Sequence, residues 1–382
     1  MSLATGGSGL AVIISDLVSS WALTMRLLSS LLRGSIVTLA GAAAWLAPSG
    51  AATLTDLYSV TVARDPAAAD QRKAATQAAM ARLLIRVTGS RNTPLDPAVQ
   101  PLINAPDEFL TSYGSDREGR SLVGFRRSQV ERRLTELGLP VWGPERPLTL
   151  LWVAVDDGAG GRALLGPTEA AEFGTPATQA MTELIATVRT EIAAAADERG
   201  LPIAWPLLDL EDLNAVTFID VWGKFEDRIL AASVRYRADA VLIGLVRPGI
   251  FGSEVEWLFV NGIERRAVPV AAVRDGLDAA ADRYAADLAT VGGANVALLT
   301  VLDVSTAADY GRVMSYLDRQ SVLESVDVES YGEGTLRLRV AARGDARVLE
   351  RVLTLGGVLR PAGAVGSLGS LTFEVVGDGA PP

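Results

Sequence analysis

The chain contains no cysteine and no histidine. Disulfides, thiol nucleophiles, Cys/His zinc sites, histidine general bases and the Ser-His-Asp triad are therefore excluded. Lysine is scarce: Lys73 and Lys224 are the only two, and all other positive charge is arginine. Any catalysis falls to Asp, Glu, Ser, Thr, Tyr, Arg or those two lysines. Positive charge is also in deficit, with a formal net charge of −10 over 382 residues. That balance argues against duplex nucleic acid as a partner, because neutralising phosphates needs a basic face. The glycines Gly158, Gly160 and Gly161 match neither the dinucleotide fingerprint nor the P-loop, which needs Gly-Lys-Ser/Thr. No cofactor is implied.

What is present is apolar content, 49% of residues. That is enough for real cores and speaks against disorder. The length corresponds to two or three domains.

Residues Met1 to Thr24 hold no basic residue and place Asp16 inside an apolar run, unlike a secretory start. They read as an extension upstream of the true start. Met25 fits better. Arg26 and Arg33 form a positive segment, Ser35 to Leu46 an apolar one, and Pro48 breaks it before the small residues Ser49-Gly50-Ala51-Ala52. Residues 25–52 are expected to be a signal peptide cleaved after Ala51 or Ala52, leaving the protein in the periplasm. The alternative is an inner-membrane tether through residues 35–47, although the run is short of the ~20 residues a span needs. Membrane contact is expected only through this segment.

The mature chain divides into three expected domains, 54–145, 146–291 and 294–376, followed by a loose tail, 377–382. In the first, Tyr58, Val60 and Val62 alternate as a strand. Asp65-Pro66 offers a helix start, and Ala75, Ala79 and Leu83 fall on one face of the helix. Ser128 offers a second start, ahead of Val130, Leu134 and Leu137. Arg126, Arg127, Arg132 and Arg133 read as a solvated face flanked by Glu131 and Glu136.

The central domain opens on the apolar strand Leu148 to Val155. Thr175-Pro176 starts a long amphipathic helix that Gly200 closes. Trp222, Phe225, Ile229 and Val234 read as one further amphipathic helix. Val241 to Val246 is a short β-branched run, hence a buried strand, and Asn261-Gly262 is the strongest hairpin signal in the chain. The last segment has the order β-α-β-β-α-β of a ferredoxin-like domain. The fold class expected is α+β or α/β: several small mixed-sheet domains with helices packed on the sheets.

Two groups of carboxylates are candidates for chemistry. Asp156 and Asp157 end the Leu148 strand, where α/β folds can hold a divalent cation. Asp209, Glu211 and Asp212 precede a helix. Paired carboxylates supply acid and base roles without histidine. The structural reading is simpler: aspartates satisfy turn amides, and carboxylates favour the positive end of a helix dipole. On that reading there is no catalytic, cofactor or metal residue, and these five are candidates only if the protein is an enzyme.

Several motifs resemble a known family. They are Arg86-Val87-Thr88-Gly89-Ser90, Gly138-Leu139-Pro140-Val141-Trp142-Gly143, Arg146-Pro147-Leu148-Thr149, Leu207-Leu208-Asp209-Leu210-Glu211-Asp212, Asp220-Val221-Trp222-Gly223 and Tyr236-Arg237-Ala238-Asp239-Ala240. Together they look like exported proteobacterial proteins known as domain of unknown function two-thousand-and-sixty-six. That family has no established activity, so the resemblance assigns no catalytic residue. The central unit is also similar to envelope accessory proteins that bind partners and build assemblies. The expectation is a non-catalytic binding or envelope-assembly protein whose partner is an envelope protein or cell-wall component. The alternative is a carboxylate-based or divalent-cation-dependent hydrolase.

Overall fold

Three larger sheets carry the fold, each built from a different stretch of the chain, and a fourth, two-stranded one pairs Ala52–Thr53 with Glu145–Arg146. The computed structural model describes residues 52–53, 57–174, 178–250, 252–363 and 370–377. The expected upstream extension, nearly all of the signal segment, the Thr175-Pro176 helix start and the tail beyond residue 377 lie outside them. The described residues belong to one compact unit, and none of their helices is long and apolar enough to cross a membrane.

In chain order the first elements are β1 (Ala52–Thr53), β2 (Ser59–Val62), α1 (Gln71–Thr88), α2 (Gln100–Asn104), β3 (Leu110–Ser115), β4 (Ser121–Phe125) and α3 (Arg127–Glu136). Strands β2, β4 and β3 form an antiparallel sheet in that order. Helix α1 packs Ala75, Ala79, Leu83 and Val87 into the core beneath it. It starts later than expected. Asp65 only turns the chain, accepting from the Ala67 amide at 2.9 Å, and Asp70 is the cap, accepting from Lys73 N. Gly89 ends the helix in the left-handed region, as such a cap requires. Helix α3, by contrast, starts before the expected cap Ser128: Arg126 stands at its N-cap position and makes no side-chain cap bond.

The central elements are β5 (Glu145–Arg146), β6 (Thr149–Asp156), β7 (Gly161–Leu165), β8 (Ala170–Gly174), α4 (Gln179–Arg199), β9 (Ile203–Ala204), α5 (Leu210–Ala215), α6 (Phe218–Trp222), α7 (Glu226–Ser233), β10 (Ala240–Gly249), β11 (Gly252–Asn261), β12 (Glu264–Ala271) and α8 (Val273–Leu288). The sheet order is β12-β11-β10-β6-β7-β8, with β9 also on β6. Strands β6 and β10 run parallel, Leu151 opposite Leu242, and both are buried on two faces.

Alternation along these strands sorts the core. Leu151, Val153, Val155 and Leu242 face α4 and α8. Leu150, Trp152, Val241 and Ile243 face the residues of α6 and α7. This is what a two-sided strand must do. Trp257 of β11 fixes the approach of α8: a Cβ on Gly244 or on Gly276 would stand 2.4 Å from its indole ring.

The last elements are β13 (Ala294–Leu302), α9 (Ala307–Leu317), β14 (Leu323–Gly332), β15 (Thr335–Arg343), α10 (Ala346–Leu355), β16 (Leu359–Pro361) and β17 (Ser370–Val375). Thr306 and Asp345 cap the two helices as expected. The sheet order is β14-β15-β13-β17-β16. The first three strands sit as in a ferredoxin-like sheet, but the closing edge does not. The chain after α10 forms a hairpin, β16 with β17, and β17 slots in parallel to β13. The core does not divide at Gly292-Gly293, because residues of the central sheet, α8 and the last sheet pack into one cluster.

Buried arginines join the first sheet to the rest. Arg146 is fully buried and its guanidinium lies 3.5 Å from the centre of the Trp142 ring. It donates to the carbonyls of Gly143 (2.6 Å), Trp142 (3.0 Å), Arg86 (2.8 Å) and Arg199 (3.3 Å). Burial pulls its pKa well below the ordinary arginine value. Arg199 donates to Gly89 O at 2.8 Å and pairs with Asp278 and Asp282. Arg86 donates to Ser59 O and to both the carbonyl and carboxylate of Asp197.

Candidate functional site

The β6–β7 hairpin holds the first pair of candidate carboxylates. Asp156 Oδ1 accepts from Gly158 N at 2.8 Å, and its Oδ2 from Arg162 Nε at 3.1 Å. Asp157 Oδ1 accepts from the amides of Ala159 and Gly161, both at 2.8 Å. The two side chains close the turn, the work short polar residues do in tight turns, and Asp156 also pairs with the cross-strand Arg162.

The second group surrounds Arg235. Asp209 caps α5 by accepting from Asp212 N at 3.0 Å. Arg235 reaches both Asp209 oxygens at 2.9 Å and Asp212 Oδ1 at 3.1 Å, with Glu211 at 3.5 Å. Asp212 is 1% exposed. Its Oδ2 accepts from Leu208 N at 2.9 Å and from the Tyr236 hydroxyl, which itself accepts from Leu207 N. The Arg235 contact, with help from the Asp212 amide, lowers the Asp209 carboxyl to about 2. Burial first, and then the bond to Asp212, push the Tyr236 hydroxyl above its ordinary value.

The structure thus brings Asp209, Glu211 and Asp212 together, but around an arginine of their own. These bonds do not extend to Asp156 or Asp157. Among the described residues no group of three or more acidic side chains has the arrangement of a metal site. The arginines of α3 are paired too: Arg127 with Glu131 and Arg133 with Glu136, both at 2.9 Å.

The clamp on Arg235 fastens α5 to the end of α7, and the segment between is not the single helix expected from Trp222, Phe225, Ile229 and Val234. Thr217 and Asp220 form a capping box that starts α6. Gly223 and Lys224, the latter at φ 53, end it before α7 begins. The break changes which side chains point inward. Ile229 is buried, whereas Phe225 and Val234 are more than half exposed. Leu207, Leu210 (81% exposed) and Ile219 (63%) add to the apolar surface of these short helices. A locked polar clamp therefore presents large apolar side chains to solvent.

One perturbed carboxylate was not singled out as a candidate. Asp239, at the start of β10, accepts from Leu148 N at 2.6 Å, and its own amide donates to Leu148 O at 2.9 Å. Burial raises its pKa to about 6 against the lowering effect of the Leu148 amide. It lines a cavity of about 490 Å³ with Pro147, Glu264, Arg283, Asp287 and Arg351. Arg283 pairs with Glu264 and Asp287, and Arg351 with Asp287. The only trace in the sequence was its place in the motif Tyr236-Arg237-Ala238-Asp239-Ala240.

Residues 51–143 match a family described as Domain of unknown function (DUF8605). The match agrees with the motifs in pointing to a family of unknown function, but it is a different family from the one the motifs resemble. The motifs at Arg86 and Gly138 lie inside the match, and those from Arg146 onward lie outside it. No curated protein and no solved structure matches the chain.

Proposed function

We propose that this is an exported, non-catalytic binding protein of the cell envelope, and that the α5–α7 layer is the surface that meets another envelope component. The observation that carries this reading is the exposure of Leu207, Leu210, Ile219, Phe225 and Val234 within one short stretch. Large apolar side chains left exposed together in one segment are the material of which interaction sites are made. The export part rests on the signal-like segment 25–52, with tethering through residues 35–47 as its alternative form. The acidic residues that a hydrolase would recruit hold a turn and a helix start, which favours binding over catalysis.

The test is crosslinking in the intact envelope, comparing the wild type with a Leu210→Glu, Ile219→Glu double variant. Both positions are exposed, so folding is spared. The reading expects one or more crosslinked species that the variant loses. Identical crosslinks for the two proteins, or none, contradict it.

The second reading, a carboxylate-based hydrolase, draws its support from Asp239 and its cavity rather than from Asp156 or Asp209. A carboxyl near 6 is suited to proton transfer close to neutrality. That reading expects turnover of a chromogenic ester or glycoside, with an inflection near pH 6 that Asp239→Asn removes.

A further inference from the structure

The cavity beside Asp239 forms where several parts of the chain end together. Pro147 and Asp239 stand at the entries to β6 and β10, Ile263 and Glu264 at the β11–β12 turn, and the last turns of α8 and α10 supply Leu288 and Leu355. Its charges do not balance. Arg283 bonds to both Glu264 oxygens, at 2.8 and 3.0 Å, and to Asp287, which also takes Arg351. Two arginines thus meet two carboxylates, and Asp239 is the carboxylate left over. Among the described residues no cation pairs with it. The one bond it accepts from another residue runs from Leu148 N to Oδ2, so Oδ1 stands open. Glu145, by contrast, is buried with both oxygens satisfied, by the amide and the hydroxyl of Ser321.

The helices add to the deficit. A helix ends in unpaired carbonyls that carry partial negative charge, which a cation in the last turn offsets. Helices α1 and α4 carry Arg86 and Arg199 there. Neither α8 nor α10 has a basic residue in its last turn, and both last turns line this cavity. An uncompensated carboxylate therefore meets two helix ends of the same sign. The remaining walls are largely apolar: Pro147, Leu288 and Leu355, with Ile263 fully exposed at the rim. The volume, about 490 Å³, is that of a small-ligand site.

We propose that this cavity binds a primary ammonium group carried on an aliphatic stem, with Asp239 as its counter-ion and Oδ1 as its acceptor. The donor set argues against two other cations. A guanidinium is best held by both oxygens of one carboxylate, and Leu148 N already occupies Oδ2. Calcium and magnesium take about six or more oxygens, and among the described residues no group of three acidic side chains is arranged for one. An ammonium is a compact charge that one open oxygen can hold, and the two helix ends supply negative potential around it. Above pH 7 Asp239 lies beyond its pKa of about 6 and carries the charge the ligand meets. The inference depends on neither reading above: it needs no turnover and no contact through α5–α7.

Calorimetric titration of the full chain above pH 7, at constant ionic strength, tests this with n-pentylammonium chloride. Saturable binding at one site is expected, with 1-pentanol inert at the same concentrations and n-pentylguanidinium weaker. Asp239→Asn removes the charge and keeps an oxygen for Leu148 N. It weakens binding about tenfold or more, as loss of a hydrogen bond to a charged group does. Asp227→Asn, at an exposed carboxylate of α7, leaves binding unchanged. A free amine and the lysine side chain of a protein share this chemistry. Titration with Nα-acetyl-lysine methylamide beside pentylammonium separates them, the tighter binder naming the source. Absence of saturation with both amines, equal binding of pentanol, tighter binding of the guanidinium, indifference to Asp239→Asn, or an equal loss in Asp227→Asn each overturns the proposal.

Discussion

The arginine seam and the α5–α7 layer break the usual partition of side chains in opposite senses. In the seam, Arg86, Arg146 and Arg199 are charged groups sealed from water. In the layer, Leu207, Leu210, Ile219, Phe225 and Val234 are apolar groups left in it. The seam accounts for itself, because its guanidiniums are spent on carbonyls and carboxylates of the same chain. A buried charge of this kind is a structural joint unless its partners are missing. The layer has no such internal explanation. Burial with partners indicates fold, and exposure without partners is the observation on which the proposed meeting surface rests.

The largest expected effect lies in the seam. Arg146→Met fills the space but removes the donor from four carbonyls. Each buried acceptor left alone costs about 1–3 kcal/mol, so a loss of about 3 kcal/mol or more is expected in urea denaturation. Arg146→Lys should recover little, since an ammonium cannot reproduce the planar fork. A variant with wild-type stability would show that the joint is dispensable and would erase the contrast between the two regions.

An intermediate effect is expected at Asp239. Its folded pKa, about 6, lies above the ordinary unfolded value of ~3.9. A raised carboxylate contributes stability in full below the unfolded value, and that contribution is lost as pH rises through 6. Two units correspond to about 3 kcal/mol as an upper figure. Asp239→Asn keeps an oxygen for Leu148 N and carries no charge to desolvate. It should therefore melt higher than the wild type above pH 6, with the gap closing towards pH 4. A gap that does not vary with pH would contradict the assigned shift.

The smallest effect belongs to the layer. Leu210→Glu and Ile219→Glu should each change stability by no more than about 0.5 kcal/mol, as substitutions at exposed positions do. Chemical denaturation resolves this. A clear loss would mean that these side chains pack in solution and would weaken the case for a meeting surface.

The elements read correctly from sequence carry their signal locally. Gly200 ends α4, Asn261-Gly262 turns β11 into β12, Thr306 and Asp345 cap their helices, and Asp156-Asp157 closes a turn. Strands β3 and β8 were missed because β3 is mostly exposed and β8 is short and rich in alanine and glycine. The break between α6 and α7 depends on Lys224 taking positive φ, which no propensity announces. The seam was illegible for another reason: two of the carbonyls that Arg146 binds are 60 and 53 residues away. An arginine within Leu84-Ile85-Arg86-Val87 was the one hint, since a charge in an apolar helical run needs a partner somewhere. Among the candidate carboxylates the structural roles were foreseeable, but their shared partner Arg235 was not.

The central claim is that the acidic groups serve the fold. Scanning calorimetry in millimolar calcium, magnesium or manganese tests it most directly. With Asp156 and Asp157 closing a turn and Asp209, Glu211 and Asp212 gathered on Arg235, the melting temperature should stay where it is. A metal present at a hundred times its dissociation constant would add about 2.7 kcal/mol, a shift of a few degrees. A saturable rise of that size, abolished by Asp156→Asn or Asp209→Asn, would contradict the account and restore the metal-dependent reading.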